Sequence, residues 1–169
     1  MSRATQKMER LSDRELVVSR TFAAPRELVW QAWSKCEHLQ HWWAPTGWSM
    51  PVCKMDFRVG GTWHYCMKGS MPDGSEMESW GLTVYQEIVE PERLVVLDQF
   101  ADAAGNVSAE MPKLLNTITF TEVAGQTKVT SHTEFATAAD LETVVQMGME
   151  EGMTQSWDQL ADYLTQLQQ

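Results

Sequence analysis

The sequence predicts an α+β fold. Strand-like alternation fills the middle of the chain, short helical patterns precede it, and one long amphipathic helical stretch follows it. Strands in a run with a helix after them argue for an antiparallel sheet rather than alternating parallel units. At 169 residues, with 43% hydrophobic and 21% charged, the chain suits one domain with a buried core. It carries no internal repeat, low-complexity tract or Pro/Gly-rich linker. The expected division is a flexible tail over 1–13 and a single domain over 14–169.

The β-branched run 15–22 reads as the first strand and leads into Ala24 and Pro25. Proline suits a helix start, where its missing N–H has no partner to lose. From there Leu28, Val29, Ala32 and Trp33 recur at helical spacing. A second short helix carries Leu39, Trp42 and Trp43, and Pro45 and Gly47 stop it. Apolar and charged residues then alternate over 53–59 and again over 63–67, with Gly60 and Gly61 turning the chain between them. Pro72-Asp73-Gly74 is a turn. Strands are expected over 78–89 and 93–100, and a hairpin over 115–123 and 127–135. The stretch 140–167 places Leu141, Val144, Val145, Met149, Met153, Trp157, Leu160 and Leu164 on one stripe, so the helix must bury that stripe against the sheet.

Strand parity puts Cys53, Met55 and Phe57 on one face and Trp63, Tyr65 and Met67 on the matching face of the next strand. Lys54, Asp56, Arg58, His64 and Lys68 fall on the opposite, wet side. In 78–89 the parity blurs, because Trp80 and Tyr85 fall on opposite sides, and it does not choose the inward face. In the last strand Ser131 and Thr133 alternate in phase with Val129 and Phe135. Two inward hydroxyls suit a cavity that orients a guest better than a tight core, where each unpaired hydroxyl costs about 1–3 kcal/mol. Gly148 and Gly152 interrupt the helical stripe at a cost of about 1 kcal/mol each against alanine. Close backbone approach and room for a guest are both open explanations. Seven of the eight tryptophans fall between Trp30 and Trp80, which fits either a filled core or a lined cavity.

Thirteen basic residues against twenty-three acidic ones leave a formal net charge of −10. Such a surface repels phosphate backbones and anionic lipid, so neither nucleic acid nor a membrane is an expected partner. The polar start of the chain and the absence of an apolar run of membrane length point to the cytoplasm. Cys36, Cys53 and Cys66, an odd number without a close pair, read as free thiols.

His38 and His41 are three apart without a third ligand nearby, so they read as surface packing and no metal is expected. His64 and Cys66 share a strand face that reads as solvated, without a group to orient a base. Glu76 and Glu78 flank a turn and read as solvated. The chain contains no GxSxG, HExxH or GxGxxG. No catalytic residue and no cofactor is assigned.

The stretch Pro25-Arg26-Glu27-Leu28-Val29-Trp30-Gln31-Ala32-Trp33, then Glu37-His38-Leu39 and Trp42-Trp43-Ala44-Pro45, resembles the START-like SRPBCC superfamily. Within it the similarity is to the branch named for the Aha-type activator of the heat-shock-protein ATPase. It continues through Asp56, Arg58, Gly60-Gly61, Trp63, Pro72-Asp73-Gly74, Gly81, Glu87-Ile88 and Pro91-Glu92-Arg93-Leu94-Val95, and ends with Gly152, Trp157 and Leu160. The resemblance implies a helix-grip fold: a curved antiparallel sheet of about six to seven strands around a long C-terminal helix, with two short helices after the first strand. It also implies a hydrophobic cavity between sheet and helix. Carried over by position, Trp33, Trp42 and Trp43 sit near its entrance. Met55, Phe57, Trp63, Tyr65 and Met67 line the sheet wall, and Met149, Met153 and Trp157 the helix wall. Ser131 and Thr133 stand where relatives are often apolar and add polarity. Cys36 stands where the family usually has proline, which should loosen the junction of the short helices.

Three functional classes follow. The leading one is a binding domain for a small hydrophobic or aromatic molecule. The second is a cyclase- or hydrolase-like enzyme relaying protons through Tyr65, Ser131 or Thr133. The third is a chaperone-accessory interaction module. Sheet edges leave a homodimer open, although no residue selects an interface.

Overall fold

Backbone pairing begins earlier in the chain than apolar alternation does. In the computed structural model, which describes residues 6–169, Lys7–Ser12 forms strand β1 and pairs antiparallel with β2 (Glu15–Phe22). The tail expected over 1–13 is therefore corrected at 7–12, while residues 1–5 lie outside the described residues. β1 is mostly exposed and joins through its backbone along the free edge of β2, so its side chains carry little strand period.

Two helices follow, α1 (Arg26–Ser34) and α2 (Cys36–Trp42). The remaining strands are β3 (Ser49–Met55), β4 (Thr62–Ser70), β5 (Glu76–Val89), β6 (Arg93–Ala101), β7 (Lys113–Val123) and β8 (Gln126–Glu134). All eight form one antiparallel sheet in the order β1-β2-β8-β7-β6-β5-β4-β3. The count exceeds the expected six to seven by the edge strand β1. The β7–β8 hairpin turns at Ala124 and Gly125, both at positive φ, as a two-residue turn that continues the strand twist requires.

The helical stripe expected over 140–167 is broken. Helix α3 (Ala138–Gln146) starts on the Thr137 side chain, which accepts from the Asp140 N–H, and Gly148 at φ +90° separates it from α4 (Met149–Leu167). Only glycine takes that left-handed turn without strain. The apolar period continues in phase across the break, so periodicity alone does not reveal it. No described helix is long and apolar enough to cross a membrane.

Helix α4 packs on the sheet face carrying Val18, Phe22, Leu94, Val96, Ile118, Phe120 and Val129, with Trp157, Leu160 and Leu164 as its buried side. Phe22 meets Trp157 edge-on at 5.7 Å. Arg20, nearly inaccessible on β2, pairs with Asp158 of α4 at 2.7 Å. Helix α3 covers a second cluster of Leu16, Phe135, Leu141 and Val144.

The free-thiol reading is corrected for two of the three cysteines. Cys36 at the start of α2 and Cys53 on β3 form a disulfide, with Cα atoms 5.9 Å apart. Only Cys66 is free, and it is buried rather than on a wet face. The junction at Cys36, expected to be loosened by the missing proline, is instead tied covalently to the sheet. Count and spacing could not reveal the pairing, because the two residues meet only when α2 folds across β3.

Candidate functional site

The register of the sheet assembles a polar ladder on its inner face. Thr83 of β5 lies opposite Asp98 of β6, and Asn116 of β7 lies opposite Thr133 of β8. The Thr83 hydroxyl donates to Asp98 Oδ1 at 2.5 Å, the Asn116 amide nitrogen donates to Asp98 Oδ2, and the Thr133 hydroxyl donates to Asn116 Oδ1 at 2.5 Å. Four adjacent strands thus hold one carboxyl group in a fixed orientation. Burial pushes the Asp98 carboxyl above the ordinary aspartate range, and the donors from Thr83 and Asn116 offset only part of that.

Above this ladder lies a cavity of about 290 Å³ between sheet and α4. Trp33 of α1, Trp42 and Trp43 at the end of α2, Tyr65 and Met67 of β4, Ser131 of β8, and Met149, Met153 and Trp157 of α4 all border it, with Asp98, Asn116 and Ile118 as the floor. A second lobe of about 220 Å³ shares Trp43, Tyr65, Met67, Asp98, Asn116, Met149 and Met153, and adds Thr133, Gly81 and Phe100. Gly152 faces the cavity, and a Cβ built there meets no atom within 4 Å. Of the two explanations for that glycine, open space is the one found.

The aromatic wall is fixed by ring contacts. Trp33 meets Trp42 at 4.8 Å, Trp43 at 6.1 Å and Trp157 at 6.2 Å, and Trp43 meets Tyr65 at 6.1 Å. The end of α2 is held to α4 through its carbonyls. Ser156 donates to Trp43 O at 2.7 Å, and Gln159 donates to Trp42 O at 3.1 Å and Ala44 O at 2.6 Å. These bonds satisfy carbonyls that a helix end leaves without intrahelical donors. Gly81 lets Tyr65 lie flat on β5, since a Cβ there would stand 2.6 Å from the phenol. Burial and the neighbouring Asp98 carboxyl both raise the pKa of Tyr65, so its hydroxyl is neutral.

Three of the expected lining residues stand elsewhere. Phe57 packs at 5.0 Å on Tyr85 and at 6.1 Å on Trp30, in the filled end of the core, and Met55 packs against the same cluster. Met55 is the last residue of β3 and Phe57 lies in the connection to β4, whose Gly60 and Gly61 hydrogen-bond the Tyr85 backbone. Trp63 stacks behind Tyr65 at 4.4 Å and borders only a void of about 20 Å³, shared with Trp33, Thr83, Tyr85 and Asp98. Trp33 Nε1 and the Tyr85 hydroxyl are buried beside that void without a hydrogen-bond partner among the described residues. The space admits one water molecule.

The inward face of β5 carries Ser79, Gly81, Thr83 and Tyr85, and a register shift between Tyr85 and Glu87 flips the parity beyond it. Asp98 and Asn116 went unassigned at the level of sequence, although each had a signal. Asp98 is in phase with Leu94 and Val96, and Asn116 with Ile118 and Phe120, so each is a polar residue on an apolar face. His38 and His41 pack on Tyr163, the first through a 2.6 Å contact of Nδ1 with the hydroxyl and the second by stacking at 4.7 Å. No group of side chains suited to a metal occurs among the described residues.

The family described as Activator of Hsp90 ATPase homolog 1-like protein matches residues 23–165. No curated protein matches the chain. Among solved structures, protein Ms6760 from Mycobacterium smegmatis is 30% identical with a TM-score of 0.82, covering 92% of this chain and 94% of its own. A protein from Staphylococcus epidermidis is 31% identical with a TM-score of 0.81, covering 95% and 94%. One from Arthrobacter aurescens is 26% identical with a TM-score of 0.84, covering 95% and 91%. Matched over almost its whole length and built as a sheet gripping a C-terminal helix, the chain belongs to the Activator of Hsp90 ATPase homolog 1-like family of the START-like SRPBCC superfamily.

Proposed function

We propose that the protein binds a small apolar or aromatic molecule between the sheet and α4 and holds it without covalent chemistry. The supporting observation is unfilled space beside Gly152 inside a wall of indole, phenol and thioether side chains. At about 290 Å³ the cavity stands at the small end of ligand pockets, which suits one or two fused rings. Burying about 250 Å² of apolar guest surface contributes about 6 kcal/mol before association costs, which points to micromolar or weaker affinity. Trp33, Trp43 and Trp157 surround the space, so 1-naphthalenemethanol should quench tryptophan fluorescence saturably. Gly152→Phe, which puts a ring into the space, should abolish that quenching while leaving the protein folded. Quenching that the variant does not change, or no binding of any apolar probe, would refute the proposal.

Asp98 favours a second reading, a cyclase- or hydrolase-like enzyme, because a carboxyl of raised pKa inside a cavity is a candidate proton donor. Its hydrogen-bond partners are Thr83 and Asn116, and among the described residues no base stands beside a nucleophile in the cavity, so binding is the reading better supported. The Cys36–Cys53 disulfide weighs against the cytoplasmic setting expected from the sequence, since such bonds are uncommon in reducing compartments.

A further inference from the structure

We propose that the guest carries a protonated nitrogen on its apolar or aromatic body, with the Asp98 carboxylate as its counter-ion. This rests on the reading of the cavity as a ligand site and names the class of ligand.

Asp98 borders the main cavity, its second lobe and the small void, and none of the three is lined by a lysine, arginine or histidine. The other titratable groups facing it are Tyr65 from β4 and Tyr85 from β5, both phenols whose own ionisation burial suppresses. Among the described residues the carboxyl therefore has no cationic partner. Nor is it arranged as a spare polar group, because Thr83 and Asn116 both donate to it and Thr133 fixes the Asn116 amide. That ladder holds an acceptor in place, with further lone pairs left for a donor in the cavity.

The walls suit the same guest. Trp33, Trp43 and Tyr65 present π-systems, whose negative faces attract cations most strongly where water is excluded. One carboxylate with several aromatic rings is the chemistry that selects an organic ammonium over a neutral molecule of equal shape. The formal charge of −10 also raises the local concentration of cations around the protein.

Three probes of one shape test this on the full chain: 1-naphthylmethylamine, 1-naphthalenemethanol and 1-naphthoic acid, titrated calorimetrically at neutral pH. The amine should bind about tenfold or more tightly than the alcohol, and the acid should not compete with either. The preference should persist in 0.5 M salt, which screens the acidic surface but not a pair inside the cavity. Asp98→Asn should bring amine and alcohol within about threefold of each other, chiefly by weakening the amine. Equal binding of amine and alcohol by the unaltered protein, or a preference that vanishes in salt or survives Asp98→Asn, would overturn the proposal while leaving the ligand site standing. If no probe binds, both readings fall together.

Discussion

Asp98 is the residue on which the interior chemistry turns, and its effect on stability has a definite sign. Its carboxyl is harder to ionise in the folded protein than in the unfolded chain. Folding is therefore unpenalised at a pH below the ordinary aspartate value, and the penalty grows as pH rises through the window up to the raised value. Glu15, Glu142, Asp73 and Asp102 have lowered values and act in the opposite direction. They are common to wild type and Asp98→Asn, so they cancel in the difference between the two. Thermal denaturation from pH 4 to 8 should show the melting temperature of Asp98→Asn rising relative to wild type with pH, by about 2–4 °C for each kcal/mol of relief. A constant difference would mean that the carboxyl is not desolvated. The amide can be accommodated, because Asn116 can turn its own amide over to present oxygen to the new nitrogen.

Among elements, α2 is tethered at both ends. The disulfide closes a 17-residue separation between Cys36 and Cys53, and Ser156 and Gln159 hold the far end of the helix to α4. Closing a loop of that length removes about 3 kcal/mol of conformational entropy from the unfolded chain. Reduction, or Cys36→Ser, should therefore lower the unfolding free energy by about that amount, as measured by urea denaturation with and without reductant. A change below about 1 kcal/mol would mean that hydrogen bonds to α4, not the covalent link, hold the helix.

Elements also differ in how far the sequence reveals them. β8 was legible to within one residue at each end, and Val129, Ser131 and Thr133, with Phe135 just beyond the strand, are all buried as one alternation requires. β1 was not, because an edge strand exposed on both sides carries almost no hydrophobic period. The α3–α4 break was hidden by a stripe that stays in phase through a left-handed glycine. Met55 and Phe57 were given to the cavity by the family resemblance, with which strand parity agrees. Parity assigns a face, not a position along it, and these two stand at the end that Tyr85 and Trp30 fill.

Across the whole molecule, the cavity belongs to no single element. Trp33, Tyr65, Asp98, Ser131 and Trp157 come from five separate segments, and only the sheet order brings them together. That is why family resemblance and face parity found most of the aromatic wall, while the hydrogen-bonded ladder across β5 to β8 needed the register. The same order places β2 beside β8, so the first strands of the sheet take their main partner from its last. During synthesis on the ribosome, β1 and β2 emerge early and then wait, unpaired on that edge, until residues up to 134 have cleared the exit tunnel. Nascent chains arrested before residue 126 should therefore stay sensitive to protease across 15–22 and become resistant once release completes the hairpin. A strand that must wait so long for its neighbour is where such a chain is most exposed to chaperone capture or to pairing with a second nascent copy.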